Sequence, residues 1–162
     1  MNRFLIAAAV AAAPLAAVQA QAPATTAPAY VKMAGASDQY EIQSSRLVLQ
    51  STQNAGLREY ANMMIAHHTK STGDVKAAAT SAGITVPPPR LDPKGLRDVA
   101  ALRVVKGTTR DRLYVTQQKA AHQKALALRQ GYATSGDTPA LKTVAGQIVP
   151  VVQQHIEPLQ CM

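Results

Sequence analysis

The chain is poorly supplied with the residues that staple or pad a small protein. Its one cysteine, Cys161, sits beside the C-terminus and has no partner for an intramolecular bridge, which excludes a disulfide scaffold and a cysteine metal cage. Tryptophan is absent and the only phenylalanine is Phe4, so Tyr30, Tyr40, Tyr60, Tyr114 and Tyr132 are the aromatics of the remaining chain. A core built from this composition must be mostly Ala, Leu, Val, Ile and Met, small residues that suit closely packed helices. Strand-like alternation is hard to find anywhere. Carboxylates are scarce as well, 9 against 17 Lys and Arg. A di-iron centre of the usual kind needs more of them, together with Glu-x-x-His pairs, and no such pair occurs. A Gly-rich phosphate loop and a nucleophile elbow are also missing, so the sequence reads as non-enzymatic.

What is present begins with an export signal. Met1-Asn2-Arg3 is a short basic start, Phe4 to Val18 is apolar, and Val18-Gln19-Ala20 is a small-residue cleavage pattern. Residues 1–20 are therefore expected to be a signal peptide, leaving a periplasmic or secreted chain of about 142 residues. The apolar run is too short for an anchor, and no later stretch is long and apolar enough to span a bilayer. Loss of Arg3 leaves 16 basic and 9 acidic side chains, a net charge of +7. That balance would suit an anionic component of the cell envelope. The basic residues are scattered without interleaved aromatics, so specific nucleic-acid binding is not expected.

Periodicity divides the rest into helices. Residues 21–29 are a Pro/Ala/Thr leader, expected to be flexible, and 30–160 form one helical domain. A first helix is predicted over Tyr30–Thr52, with Val31, Ala34, Glu41, Ser45, Val48 and Thr52 on one face. A second runs to about Ala82, with Leu57, Ala61, Met64, His68, Val75, Ala78 and Ala82 in register. Gly83 stops it. Pro87-Pro88-Pro89 cannot be helical, so an extended connection follows, then a short helix over Pro93–Val105. A fourth helix is predicted over Thr108–Ala133, with Tyr114, Gln118, His122, Ala125 and Tyr132 near one face. Thr138 is placed to cap a last helix, which carries Leu141, Val144, Ile148, Val151, His155 and Leu159 in a stripe and is kinked by Pro150. Four long helices in two pairs, joined by a crossover with a short extra helix, make an all-α, ferritin-like four-helix bundle.

Within those apolar stripes lie Glu41, His68, His122 and His155, one on each long helix. An unpartnered buried imidazole or carboxylate is costly, so four of them in four seams are expected to meet. Three imidazoles and one carboxylate suit a Zn, Cu or Fe ion. They would equally serve as a buried polar network that fixes helix register without metal, in a structural or interaction protein of the envelope. Met64, one turn before His68, and His67 are secondary ligand candidates. For His67 alone solvent exposure is the simpler reading, and Asp38 and Asp111 read as helix-start and surface residues. Counting at 1.5 Å per residue puts Glu41 and His68 at one level but leaves His155 about 6 Å off the level of His122.

Order and spacing of several short motifs sharpen this picture. Tyr40-Glu41-Ile42, Ser44-Ser45, Tyr60-Ala61, Met64-Ile65 and His68-Thr69 resemble the first hairpin of the bacterial family called domain of unknown function 4142. Asp111, Tyr114, Gln118, Ala121-His122, Tyr132-Ala133, Gly136-Asp137, Leu141-Lys142 and Pro150 before His155 resemble its second half, so the likeness runs from Tyr30 to Leu159. It implies an exported ferritin-like bundle with no established activity, in a family whose members are often labelled predicted outer membrane proteins. Where that family commonly has Asp before the second-helix His, this chain has His67.

Overall fold

The structure, a computed structural model, describes residues 25–162. The expected signal peptide and the first residues of the leader lie outside them. Five helices follow in order: α1 (Ala27–Leu49), α2 (Ala55–Ser81), α3 (Pro93–Val104), α4 (Gly107–Ser135) and α5 (Pro139–Leu159). No strand occurs among the described residues, and no helix there is long and apolar enough to cross a membrane.

Local chemistry explains most boundaries. The Asn54 side chain accepts from Leu57 N at 3.0 Å, which starts α2. Asp92 does the same for α3, accepting from Gly95 N at 2.6 Å with Pro93 in the first turn. Gly83, at φ +73°, ends α2 in the left-handed region that a side chain would strain. Gly136 between α4 and α5 is required for another reason: a Cβ there would lie 2.6 Å from Tyr132. Thr138 precedes α5 as expected but does not cap it, because its hydroxyl is turned to Asp137 Oδ1 at 3.1 Å. α5 runs on through Pro150 and Pro158.

α1 occupies Ala27–Leu49 rather than Tyr30–Thr52, a shift of three residues toward the N-terminus. At its start Ala27 is buried and its N–H reaches Asp137 Oδ2 at 3.2 Å. At its end the chain turns early, and Thr52 is buried in the turn, donating to Asp111 Oδ2 at 3.0 Å.

Two apolar clusters fix the topology. One gathers the start of α1 (Tyr30, Ala34), the end of α2 (Val75, Ala79), the end of α4 (Tyr132) and the start of α5 (Leu141, Ala145). The other gathers Val48, Leu57, Tyr60, Met64, Leu102, Tyr114 and Leu159 from the opposite helix ends. α2 and α4 therefore run one way, α1 and α5 the other, and the segment carrying α3 climbs the length of the bundle along α1. Pro89 packs against Gly35, whose added Cβ would come within 3.0 Å of the proline. Arg110, 3% exposed, pins the top of this crossover by donating to the carbonyls of Leu102, Val105 and Leu47. This is the connectivity of a ferritin-like bundle.

Candidate metal centre

Between the two apolar clusters the core turns polar. Asp38, Glu41, Ser44 and Ser45 of α1, His68 and Ser71 of α2, Gln118, His122 and Arg129 of α4, and His155 of α5 are all buried. Apolar side chains would serve a four-helix core better at these positions, so the belt calls for an explanation beyond packing.

Three of its members converge. One ring nitrogen from each of His68, His122 and His155 lies within 4.8 Å of the other two. The ring centroids form a nearly even triangle with sides of 5.8, 5.3 and 5.3 Å. The level mismatch that counting gives His155 is closed by side-chain direction. Helical side chains lean toward the N-terminus of their own helix. His122 lies 13 residues before the end of α4 and leans away from the α4–α5 turn, whereas His155 lies 16 residues after the start of α5 and leans back toward it. Their nitrogens, His122 Nε2 and His155 Nδ1, come to 3.3 Å.

Each of the three rings is held from outside the triangle. His122 Nδ1 is 3.0 Å from the Gln118 carbonyl, which can only accept, so Nδ1 carries the hydrogen and Nε2 keeps the lone pair. His68 Nδ1 is 2.9 Å from Asp38 Oδ1, an oxygen that also accepts from Arg129 at 3.2 Å. Its Nε2 is buried with no hydrogen-bond partner. His155 Nε2 lies 2.8 Å from His67 Nδ1, leaving Nδ1 to face His122. Imidazoles that bind metal through one nitrogen almost always have the other fixed by a carboxylate, carbonyl or similar group. Two nitrogens bound about 2.05 Å from a tetrahedral ion are about 3.3 Å apart, the separation that His122 and His155 already have.

Glu41 stands beside this triangle. Its Oε1 is 3.7 Å from His122 Nδ1, the nitrogen that faces the Gln118 carbonyl, and both carboxylate oxygens are buried without a hydrogen-bond partner. The earlier end of α1 explains the placement. With the helix ending at Leu49, Asp38 rather than Glu41 lies level with His68, and Glu41 is carried one turn higher. Tyr60 and Tyr114 close the polar belt above, with Tyr60 donating to the His155 carbonyl at 3.3 Å and Tyr114 paired with Ser45 at 2.7 Å. Burial first, and the Glu41 charge second, push both phenols up, so they stay protonated donors. Burial also lowers His122, and it lowers His155 to about 2 together with the repulsion of His68, His122 and His67. Both rings are thereby kept neutral, the form that offers a lone pair to a metal.

The secondary candidates separate. Met64 is fully buried in the apolar cluster with Tyr60 and Leu57. His67 is exposed as a residue, yet one nitrogen reaches the site through His155. Asp38 corrects the sequence reading most clearly. It is 1% exposed, lies in mid-helix, and receives His68, Arg129 and Thr72. Arg129, unmarked by the sequence, is 2% exposed and also donates to Tyr30 and Ser71. Both carried a usable signal, since Asp38 precedes Glu41 by three residues and Arg129 follows His122 by seven, each continuing a buried stripe. Asp111 is half-buried and ties α4 to the α1–α2 turn through Thr52.

Fold and site together define an all-α bundle with a buried, externally braced histidine triangle in its polar middle. The chain belongs to the family described as Domain of unknown function (DUF4142), which it matches over residues 12–162. No curated protein matches it. Among solved structures it is similar to a DUF305 fragment from Deinococcus radiodurans, with a TM-score of 0.70 at 17% identity, covering 83% of this chain and 92% of that one. It is also similar to CopM in the Cu(II)-bound form, with a TM-score of 0.70 at 18% identity, covering 83% and 93%. At such identities the likeness is one of fold.

Proposed function

We propose that this protein is a periplasmic helical bundle that binds one divalent transition-metal ion through His68, His122 and His155, with Zn(II) and Cu(II) as the best-matched ions. The observation that carries the reading is the convergence of three buried imidazoles whose second nitrogens are each engaged elsewhere. The unpartnered His68 Nε2 and Glu41 carboxylate support it, because buried polar atoms without partners are rare and an ion would answer both. Glu41, on the Nδ1 side of His122, would supply negative charge near the cation rather than a ligand atom. CopM was solved with Cu(II) bound, which makes that ion the first to try. The signal-like residues 1–20 are the basis for the compartment.

The experiment is a titration of metal-stripped protein with Cu(II), Zn(II) and Fe(II), alongside His68→Ala and His122→Ala. One equivalent bound by the wild type and lost in both variants supports the proposal. A chain that takes up none of the three ions has a different function. A second reading, a polar network that holds helix register in an envelope protein, is favoured by the lower half of the belt. There Asp38, Arg129, Ser71 and Tyr30 satisfy one another without any ion.

A further inference from the structure

The three imidazoles are nearly sealed: His68, His122 and His155 are 4%, 0% and 1% exposed. An ion therefore needs a way in. The groups bracing the triangle differ in this respect. Asp38 and Gln118 are as buried as the histidines they hold. His67 alone among the braces is on the surface.

Hydrogen bonding then determines what His67 offers. With His122 Nδ1 donating to the Gln118 carbonyl, His122 Nε2 accepts from His155 Nδ1 at 3.3 Å. His155 Nε2 must accept in turn, so His67 Nδ1 donates to it at 2.8 Å. In this hydrogen-bond order the Nδ1 of His67 is the donor, and its Nε2, on an exposed residue, is the nitrogen left over to meet a ligand from solvent. The rings of His67 and His155 are stacked, with centroids 5.1 Å apart and planes 25° from parallel. A cation bound at the outer ring is then one ring away from the buried triangle.

We propose that His67 is the port of the site: it captures a hydrated divalent transition-metal ion from solvent and hands it to His155 and the buried triangle. This rests on the metal-binding reading above. In the transfer the ion exchanges a water for His67 Nε2, then exchanges His67 for nitrogens of the triangle. No electron moves. When His155 Nδ1 binds the ion its hydrogen passes to solvent, Nε2 takes the hydrogen of His67 Nδ1, and His67 regains one from solvent at Nε2, so each ring again carries one.

A port changes rates without changing the equilibrium, whereas a brace changes the equilibrium. The test is stopped-flow uptake of Cu(II) by the metal-stripped full mature chain, followed by release to a chelator, for wild type, His67→Ala and His67→Asn. Asn keeps a hydrogen-bond donor for His155 but is a poor ligand. The expected result is uptake slowed by tenfold or more in both variants: in His67→Asn, which keeps a polar partner for His155, release slows in step and Kd stays within about threefold, whereas His67→Ala also loses the brace and weakens Kd by roughly 10- to 100-fold. The proposal is overturned if His67→Asn has wild-type rates. It is also overturned if His67→Ala keeps the wild-type uptake rate and weakens Kd by the roughly 10- to 100-fold typical of losing an outer hydrogen-bond partner. Absence of Cu(II) binding in the wild type removes the metal-binding reading itself, a different outcome from either.

Discussion

Glu41 and Asp38 are one turn apart on the same helix and have opposite environments. Asp38 is answered by His68, Arg129 and Thr72, while Glu41 is buried with both oxygens unpartnered. Their substitutions should have different consequences. Glu41→Gln removes an uncompensated carboxylate and is expected to stabilise the metal-free protein by on the order of 1–3 kcal/mol while weakening metal affinity, readable from paired denaturant melts and titrations. Asp38→Asn is expected to weaken metal affinity by about 10- to 100-fold, because His68 loses the carboxylate that fixes its ring. Unchanged affinity in that variant would place Asp38 in packing alone. Protonation gives a third prediction. His155 is lowered to about 2 and His122 is lowered too, both chiefly by burial, so between those values and the ordinary histidine pKa near 6.5 the unfolded chain binds more protons than the folded one. Stability of the metal-free protein is therefore full above about pH 6.5 and falls as the solution is acidified, approaching ~1.4 kcal/mol per pH unit for each fully lowered histidine. A flat stability profile from pH 7 to pH 5 would show that the rings are solvated.

At the scale of helices, α4 joins both halves of the belt through His122 and Arg129. Arg129 reaches α1 at Asp38 and Tyr30 and α2 at Ser71. Arg129→Met leaves Asp38 buried without its guanidinium and is expected to cost about 3–5 kcal/mol in urea unfolding. A cost below 1 kcal/mol would mean that water replaces the arginine. The helices themselves were legible because their stripes are long: all six face residues predicted for the first helix are buried, and of the seven on the second only Ala82 is exposed. Helix ends were less legible, since Ala27 is held by Asp137 from a turn 110 residues away and the α1 terminus is set by turn packing around Thr52. That three-residue shift hid the partnership of Asp38 with His68. Arg129 escaped for a related reason: a charged residue in a stripe reads as surface until a buried partner on another helix is known.

For the whole molecule, the bundle is two apolar caps around a polar middle. The caps hold the helices antiparallel to their neighbours, and the middle collects one or more functional groups from each of the four. Histidine convergence could be anticipated from four seams in one bundle, whereas the offset of Glu41 and the role of His67 needed the actual levels and ring directions. The central claim is that the polar middle is a metal centre, and differential scanning calorimetry of the metal-stripped protein with and without Cu(II) or Zn(II) tests it most directly. At free metal about 100 times Kd, binding adds ~2.7 kcal/mol, which for a chain of this size raises Tm by roughly 5–10 °C. The account predicts that rise in the wild type and none in His122→Ala; identical melts with and without metal in the wild type would contradict it.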